Sequence, residues 1–231
     1  MEFDGTFTRG WIQRFADSVS ATEPELTALD QRAGDGDFGT NLRTGLTLAV
    51  KELHSLPTGP LPAAAPLEAT ARAFLDGVGG TSGPLFGLLF QELSAAVAEA
   101  GPVLRVTALS AGTAAGLAAV QRVGEAVPGD KTLVDALAPA ARELQRFAPA
   151  GRPDRALAAA ARGSWQGVQS TTLLRAHRGR ASYLGERASG VPDPGAVGVA
   201  LLFTTANAHV SSLSSRLAGP DSDPGREQAP L

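Results

Sequence analysis

The chain has 231 residues, with 20 basic and 23 acidic side chains and a formal net charge of −3. That balance lacks the basic stripe of a nucleic-acid binder, and the absence of cysteine excludes disulfides, thiolate catalysis and cysteine-ligated zinc. Aromatics make up only 5% of the chain, so a core of Ala, Leu and Val is expected, a composition that favours helix over strand.

Phe3, Phe7, Trp11, Phe15 and Val19 recur every four residues and predict a first helix over 3–20. Thr22 with Glu23-Pro24 reads as the cap and first turn of a second helix ending near Leu29. A Gly- and Asp-rich turn follows over 33–40. The stripe Leu42, Leu46 and Val50 predicts a third helix from Asn41 to Leu53. Residues 57–65 read as a loop and Leu67 to Val78 as a fourth helix. Gly79 to Gly83 form a tight turn, and Pro84 opens a fifth helix to about Ala98. Further helices are expected over 107–123, 132–147, 153–170 and 194–217, with an irregular polar loop over 177–193. The tail from Gly219 on, rich in Pro, Asp and Ser, is expected to be disordered, leaving 1–218 as one domain.

No stretch alternates with period two, so the fold class is all-α, with short connections and antiparallel neighbours. The start, Met1 to Arg14, does not read as a signal peptide. The longest apolar stretch, Ala196 to Phe203, is too short to span a membrane. No membrane role and a cytoplasmic location are the expectations.

The turn Leu29-Asp30-Gln31-Arg32-Ala33-Gly34-Asp35-Gly36-Asp37-Phe38-Gly39-Thr40-Asn41 crowds three carboxylates into eight residues. Like charges this close repel, and a hard cation with oxygen ligands would neutralise them. Other readings fit less well. Counted as an EF-hand from Asp35, the twelfth position is Leu46 where Glu is required. The glycines match GxGxxG, but no strand precedes them. Asp37-Phe38-Gly39 spells the kinase DFG without an HRD or VAIK partner. A solvated acidic loop with helix caps is the plain alternative.

Gly79-Gly80-Thr81-Ser82-Gly83-Pro84 stands before an apolar helix, where free N–H groups and hydroxyls attract anions or simply cap the helix. Gly124 to Thr132 nearly spells a Walker A loop, but Asp130 intrudes before Lys131 and the preceding segment is helical. Gly179-Arg180-Ala181-Ser182-Tyr183-Leu184-Gly185-Glu186-Arg187 carries two arginines suited to phosphate or to stacking on a base, unless they are merely solvated. Asp193-Pro194-Gly195-Ala196 opens the last apolar helix. The three histidines, His54, His177 and His209, fall in no such motif.

Taken in this order, these segments resemble the ADP-binding L subunit of dihydroxyacetone kinase, the domain that also forms the C-terminal half of ATP-dependent dihydroxyacetone kinases. The likeness runs over roughly residues 5–215. It implies a closed barrel of about eight antiparallel amphipathic helices with the nucleotide at one end. It implies that Asp30, Asp35 and Asp37 hold two Mg²⁺ ions against ADP or ATP. Nucleotide contacts then fall on Phe38, Gly39, Thr40, Asn41, Thr81, Ser82, Gly124, Leu133, Arg180, Asp193, Pro194 and Gly195. Arg180 joins the aspartates as a catalytic candidate, acting as a phosphate or nucleotide clamp. Phe38 stands where the bacterial pattern often has His, so only its backbone would contact the nucleotide.

The same resemblance implies partners. A K-type subunit binds dihydroxyacetone, and an M-type phosphohistidine subunit of the phosphotransferase system rephosphorylates bound ADP. The expectation is therefore that this chain supplies only the nucleotide half of a composite site. A homodimer stays open, as do two alternatives: a related kinase for another ketose or a fatty acid that uses exchangeable ATP, and a non-catalytic nucleotide-sensing regulator.

Overall fold

The computed structural model describes residues 2–148, 151–178, 182 and 188–217. Its helices are α1 (Gly5–Ala33), α2 (Phe38–Ser55), α3 (Ala64–Gly77), α4 (Ser82–Glu99), α5 (Val106–Gly124), α6 (Val134–Phe147), α7 (Pro153–Thr171), α8 (Pro194–Thr204) and the short α9 (Ser214–Leu217). No strand occurs among the described residues. No helix among them is long and apolar enough to cross a membrane. The expected tail, 219–231, lies outside the described residues.

The first eight helices form a ring of contacts: each packs on the next in the chain, and α8 packs back on α1. Alternate connections gather at opposite ends. At one end, Gly5 N–H donates to the Leu61 carbonyl at 2.7 Å, Ala63 N–H to Pro102 at 2.8 Å and Leu104 N–H to Phe3 at 2.6 Å. The chain start and the α2–α3 and α4–α5 connections therefore meet there. The Arg152 guanidinium, at the start of α7, lies 5.9 Å from the Phe3 ring centroid and completes that end. The α1–α2, α3–α4, α5–α6 and α7–α8 connections are left together at the other. Between the ends, Trp11, Phe15, Phe74, Phe86, Phe90 and Phe203 are fully buried among Leu, Val and Ala. Phe74 packs on Phe86 and on Phe90, each at 5.9 Å between ring centroids.

Two expected boundaries are corrected. The first and second helices are one, α1, with Pro24 inside it. Proline removes the hydrogen bond to the carbonyl four residues back. That carbonyl belongs to Ser20, and both residues lie on the exposed face, where water can serve it. Thr22, Leu26, Leu29 and Asp30 on the other face remain buried, and their packing carries the helix through.

The last helix, expected to reach 217, stops at Thr204. Side chains of α1 take the carbonyls at its end. Trp11 Nε1 donates to Leu202 at 2.7 Å, and Arg14 donates to Thr205 at 2.8 Å and to Ala206 at 2.6 Å. The chain then turns back along α1, where Val210 N–H donates to the Ser18 hydroxyl at 3.0 Å and Leu213 N–H to the Glu25 carboxylate at 2.9 Å.

Candidate functional site

A cleft opens at the end where the four odd-to-even connections meet. Its cavity volume is about 180 Å³, and the cleft is open to solvent on one side. One wall is the acidic turn. Asp30 sits in the last turns of α1 and is buried, while Asp35 is exposed. Oxygens of Asp30, Asp35 and Asp37 lie within 4.8 Å of one another.

The local sequence forces this convergence. The Asp30 carboxylate accepts the Phe38 N–H at 2.9 Å, which draws the start of α2 back over the end of α1. A side chain at Gly34 would lie 2.3 Å from Asp30 Oδ1, so glycine leaves room for the carboxylate. Gly36 has φ of +83°, the left-handed region that glycine enters without strain. Three carboxylates in this space form a hard, all-oxygen donor set. That suits Mg²⁺, which binds through a few carboxylates while its remaining positions take water or phosphate oxygens.

The facing wall contains Thr81 and Ser82 at the start of α4, Gly124 at the end of α5, Leu133 before α6, and Asp193-Pro194-Gly195 at the start of α8. Phe38 also borders the cleft, yet it is buried and its ring lies 6.3 Å from that of Phe86, centroid to centroid. Gly39, Thr40 and Asn41 do not line the cleft. The Thr40 hydroxyl donates to Glu23 at 3.2 Å, and Gly39 abuts Thr27 and the Glu23 carbonyl. Arg180 lies outside the described residues, as does the rest of the segment from Gly179 to Arg187 apart from Ser182.

Sequence reasoning missed Lys131, Thr132 and Arg178, all of which line the cleft. Arg178 pairs with Glu125 at 3.2 Å across its mouth. The near-Walker segment is a turn organised by carboxylates. Asp135 accepts Gly129 N–H at 2.6 Å and Thr132 N–H at 2.8 Å, and Asp130 accepts Val127 N–H at 2.9 Å. His177, exposed, faces Asp130 at 3.3 Å.

Asp193 caps α8 by accepting Ala196 N–H at 2.7 Å. The residue is half-buried, with its carboxyl on the enclosed side. Desolvation pushes that carboxyl up to about 7, against the lowering effect of the Ala196 hydrogen bond and of Lys131, with Asp135 and Asp30 adding repulsion.

The ring of helices thus brings three convergent carboxylates to a cleft at one of its ends. Residues 32–208 match the DAK2 domain, and the chain belongs to that family. It is 34% identical over 204 residues to the PEP-dependent dihydroxyacetone kinase ADP-binding subunit DhaL of Escherichia coli strain K12, covering 88% of this chain and 96% of that one. It is 36% identical over 196 residues to the triokinase/FMN cyclase of Rattus norvegicus, covering 83% of this chain but only 33% of that protein. The fold matches the crystal structure of the dihydroxyacetone kinase from C. freundii in complex with AMP-PNP and Mg²⁺, with a TM-score of 0.66, 26% identity, and coverage of 89% of this chain and 34% of that one. The chain thus spans nearly all of the DhaL subunit and about a third of the larger kinases.

Proposed function

We propose that this chain is the ADP/ATP-binding subunit of a dihydroxyacetone kinase. The observation that carries the reading is the convergence of Asp30, Asp35 and Asp37, which line the cleft with carboxylate oxygens within 4.8 Å of one another. Support comes from the C. freundii kinase of the same fold, whose structure was determined with AMP-PNP and Mg²⁺. Further support comes from relatives named ADP-binding subunits that are matched over most of their length, at 34% and 37% identity.

The three aspartates hold two Mg²⁺ ions. Bound there, magnesium supplies charge neutralisation at the phosphate oxygens. The chain's own residues do the positioning. Thr81 and Ser82 present hydroxyls at the start of α4, where unpaired N–H groups and the helix dipole favour an anion. Leu85, Val120 and Leu133 give the cleft an apolar side suited to a base. Phe38 borders the same cleft, and Arg180 completes the proposed nucleotide contacts, set against developing charge on the phosphates.

The acceptor, dihydroxyacetone, is carried by a K-type partner subunit, and an M-type phosphohistidine subunit recharges ADP in place. Val123, Val127 and Leu173 are exposed apolar side chains on the α5–α6 and α7–α8 side of the cleft, a rim that suits a docked protein. The protein works in the cytoplasm. A second reading keeps the site and changes the acceptor. It is favoured by the 33% identity over 201 residues to the L-erythrulose 1-kinase of Mycolicibacterium smegmatis, a protein of which the match covers 35%. In that reading ATP exchanges freely.

Native mass spectrometry of the purified protein separates these readings. Stoichiometric ADP that survives dialysis supports the retained cofactor. An empty protein that turns over added ATP with a K-type partner supports the second. An empty protein that binds neither nucleotide contradicts both.

A further inference from the structure

Lys131 is 1% exposed and sits at φ of +61°. A left-handed backbone is strained for any residue with a Cβ, and glycine would relieve it. A buried ammonium also pays a desolvation penalty unless its protons are satisfied. Buried on such a backbone, Lys131 needs acceptors for its ammonium protons.

Its ammonium donates to the carbonyl of Val191 at 2.6 Å and to that of Thr171. Those two carbonyls stand on either side of the α7–α8 connection, where the chain leaves α7 and where it returns. The neck of that connection is closed by three further bonds. Gly190 N–H donates to Thr172 at 3.0 Å, and Asp193 N–H donates to the Thr171 hydroxyl at 2.9 Å. His177 N–H donates to the Asp130 carbonyl at 3.1 Å, next to Lys131 itself. Asp193 and Asp135 lie close enough for their charge to favour the ammonium.

The geometry points to Lys131 as a positioning residue: its ammonium clips both ends of the α7–α8 connection and so holds Asp193, Pro194 and Gly195 in place as a cleft wall. Two of its three protons are committed to backbone carbonyls, so it acts through the wall more than on a ligand. The clip stands on these bonds alone. Its effect on nucleotide affinity rests on the reading of the cleft as a nucleotide site.

The test is Lys131→Met, with amide hydrogen exchange followed by NMR in protein free of metal and nucleotide. Exchange at Gly190 and Asp193 should quicken about tenfold or more, while the Phe38 amide and the core amides of α4 keep their wild-type rates. With Mg²⁺ and ADP, the dissociation constant should weaken about tenfold. Unchanged exchange at Gly190 and Asp193 overturns the clip, even if affinity falls, because Lys131 would then be a direct phosphate ligand. Uniformly faster exchange across all helices overturns it as well, since the role would be global stability. Should the variant not fold, the wild-type protein decides: scalar couplings from Lys131 Nζ across hydrogen bonds to the Thr171 and Val191 carbonyl carbons support the clip, and their absence overturns it. A wild-type protein that does not bind Mg–ADP contradicts the nucleotide reading, and the exchange rates still judge the clip.

Discussion

The carboxylate of Asp30 accepts the backbone N–H of Phe38 at 2.9 Å, so the most buried acid of the turn is also the tie between α1 and α2. Asp30 and Asp35 should therefore respond differently to mutation. Asp30→Ala strands a buried amide, which costs about 1–3 kcal/mol, and should lower the metal-free melting temperature as well as nucleotide binding. Asp35→Asn relieves repulsion among three crowded carboxylates. It should leave the metal-free melting temperature unchanged or raised, yet abolish the rise that Mg²⁺ and ADP give the wild type. Thermal melts of both variants, with and without ligand, check this.

The Phe38 ring packs on Phe86, and a methyl at Gly198 would lie 2.8 Å from it. Its contribution to the site is then through the backbone. Phe38→Leu should cost about 1–2 kcal/mol of stability from imperfect repacking, read as a lower midpoint in urea. Its Mg–ADP dissociation constant should stay within a few-fold of wild type by calorimetry. A large loss of affinity with little loss of stability would give the ring a ligand-contact role.

Gly39 lets α2 lie against α1. A methyl there would come 2.5 Å from the Thr27 hydroxyl and 2.9 Å from the Glu23 carbonyl. The hydroxyl can rotate but the backbone carbonyl cannot. Gly39→Ala should therefore destabilise the fold by about 1–3 kcal/mol and weaken nucleotide binding by shifting Asp37 relative to Asp30. Denaturant midpoints and calorimetry measure the two effects separately.

Burial pushes the Asp193 carboxyl up to about 7. Below about pH 4 an aspartate is protonated in folded and unfolded chains alike, so the shift has no effect on stability. As pH rises from there through about 7, the unfolded chain ionises more readily, and folded stability is lost. Asp193→Asn keeps an oxygen to cap α8 and removes the charge. In metal-free protein, the fall in melting temperature between pH 5 and 8 should be smaller in this variant than in the wild type. Equal slopes would show that the carboxyl titrates in its ordinary range.

What could be read from the sequence was what is local. Asp30, Asp35 and Asp37 fall within eight residues, and their crowding with glycines declares a shared site before any fold is known. The four-residue spacing of Phe3, Phe7, Trp11 and Phe15 likewise declares a helix. Lys131 was illegible because its meaning depends on Thr171 and Val191, 40 and 60 residues away. The end of α8 was illegible for the same reason, since Trp11 and Arg14 that terminate it lie about 190 positions earlier. Pro24 misled because proline marks a helix start by local rule, whereas here its exposed face let tertiary packing override that rule.

The most direct test is titration calorimetry of ADP into wild-type protein and Asp35→Asn, each with Mg²⁺ and with EDTA, after any co-purified nucleotide has been removed. The expected result is tight, near-stoichiometric binding only for wild type with Mg²⁺, and at least a hundredfold loss in the other three conditions. Equal affinity with and without Mg²⁺, or in wild type and variant, would contradict a metal held by these aspartates.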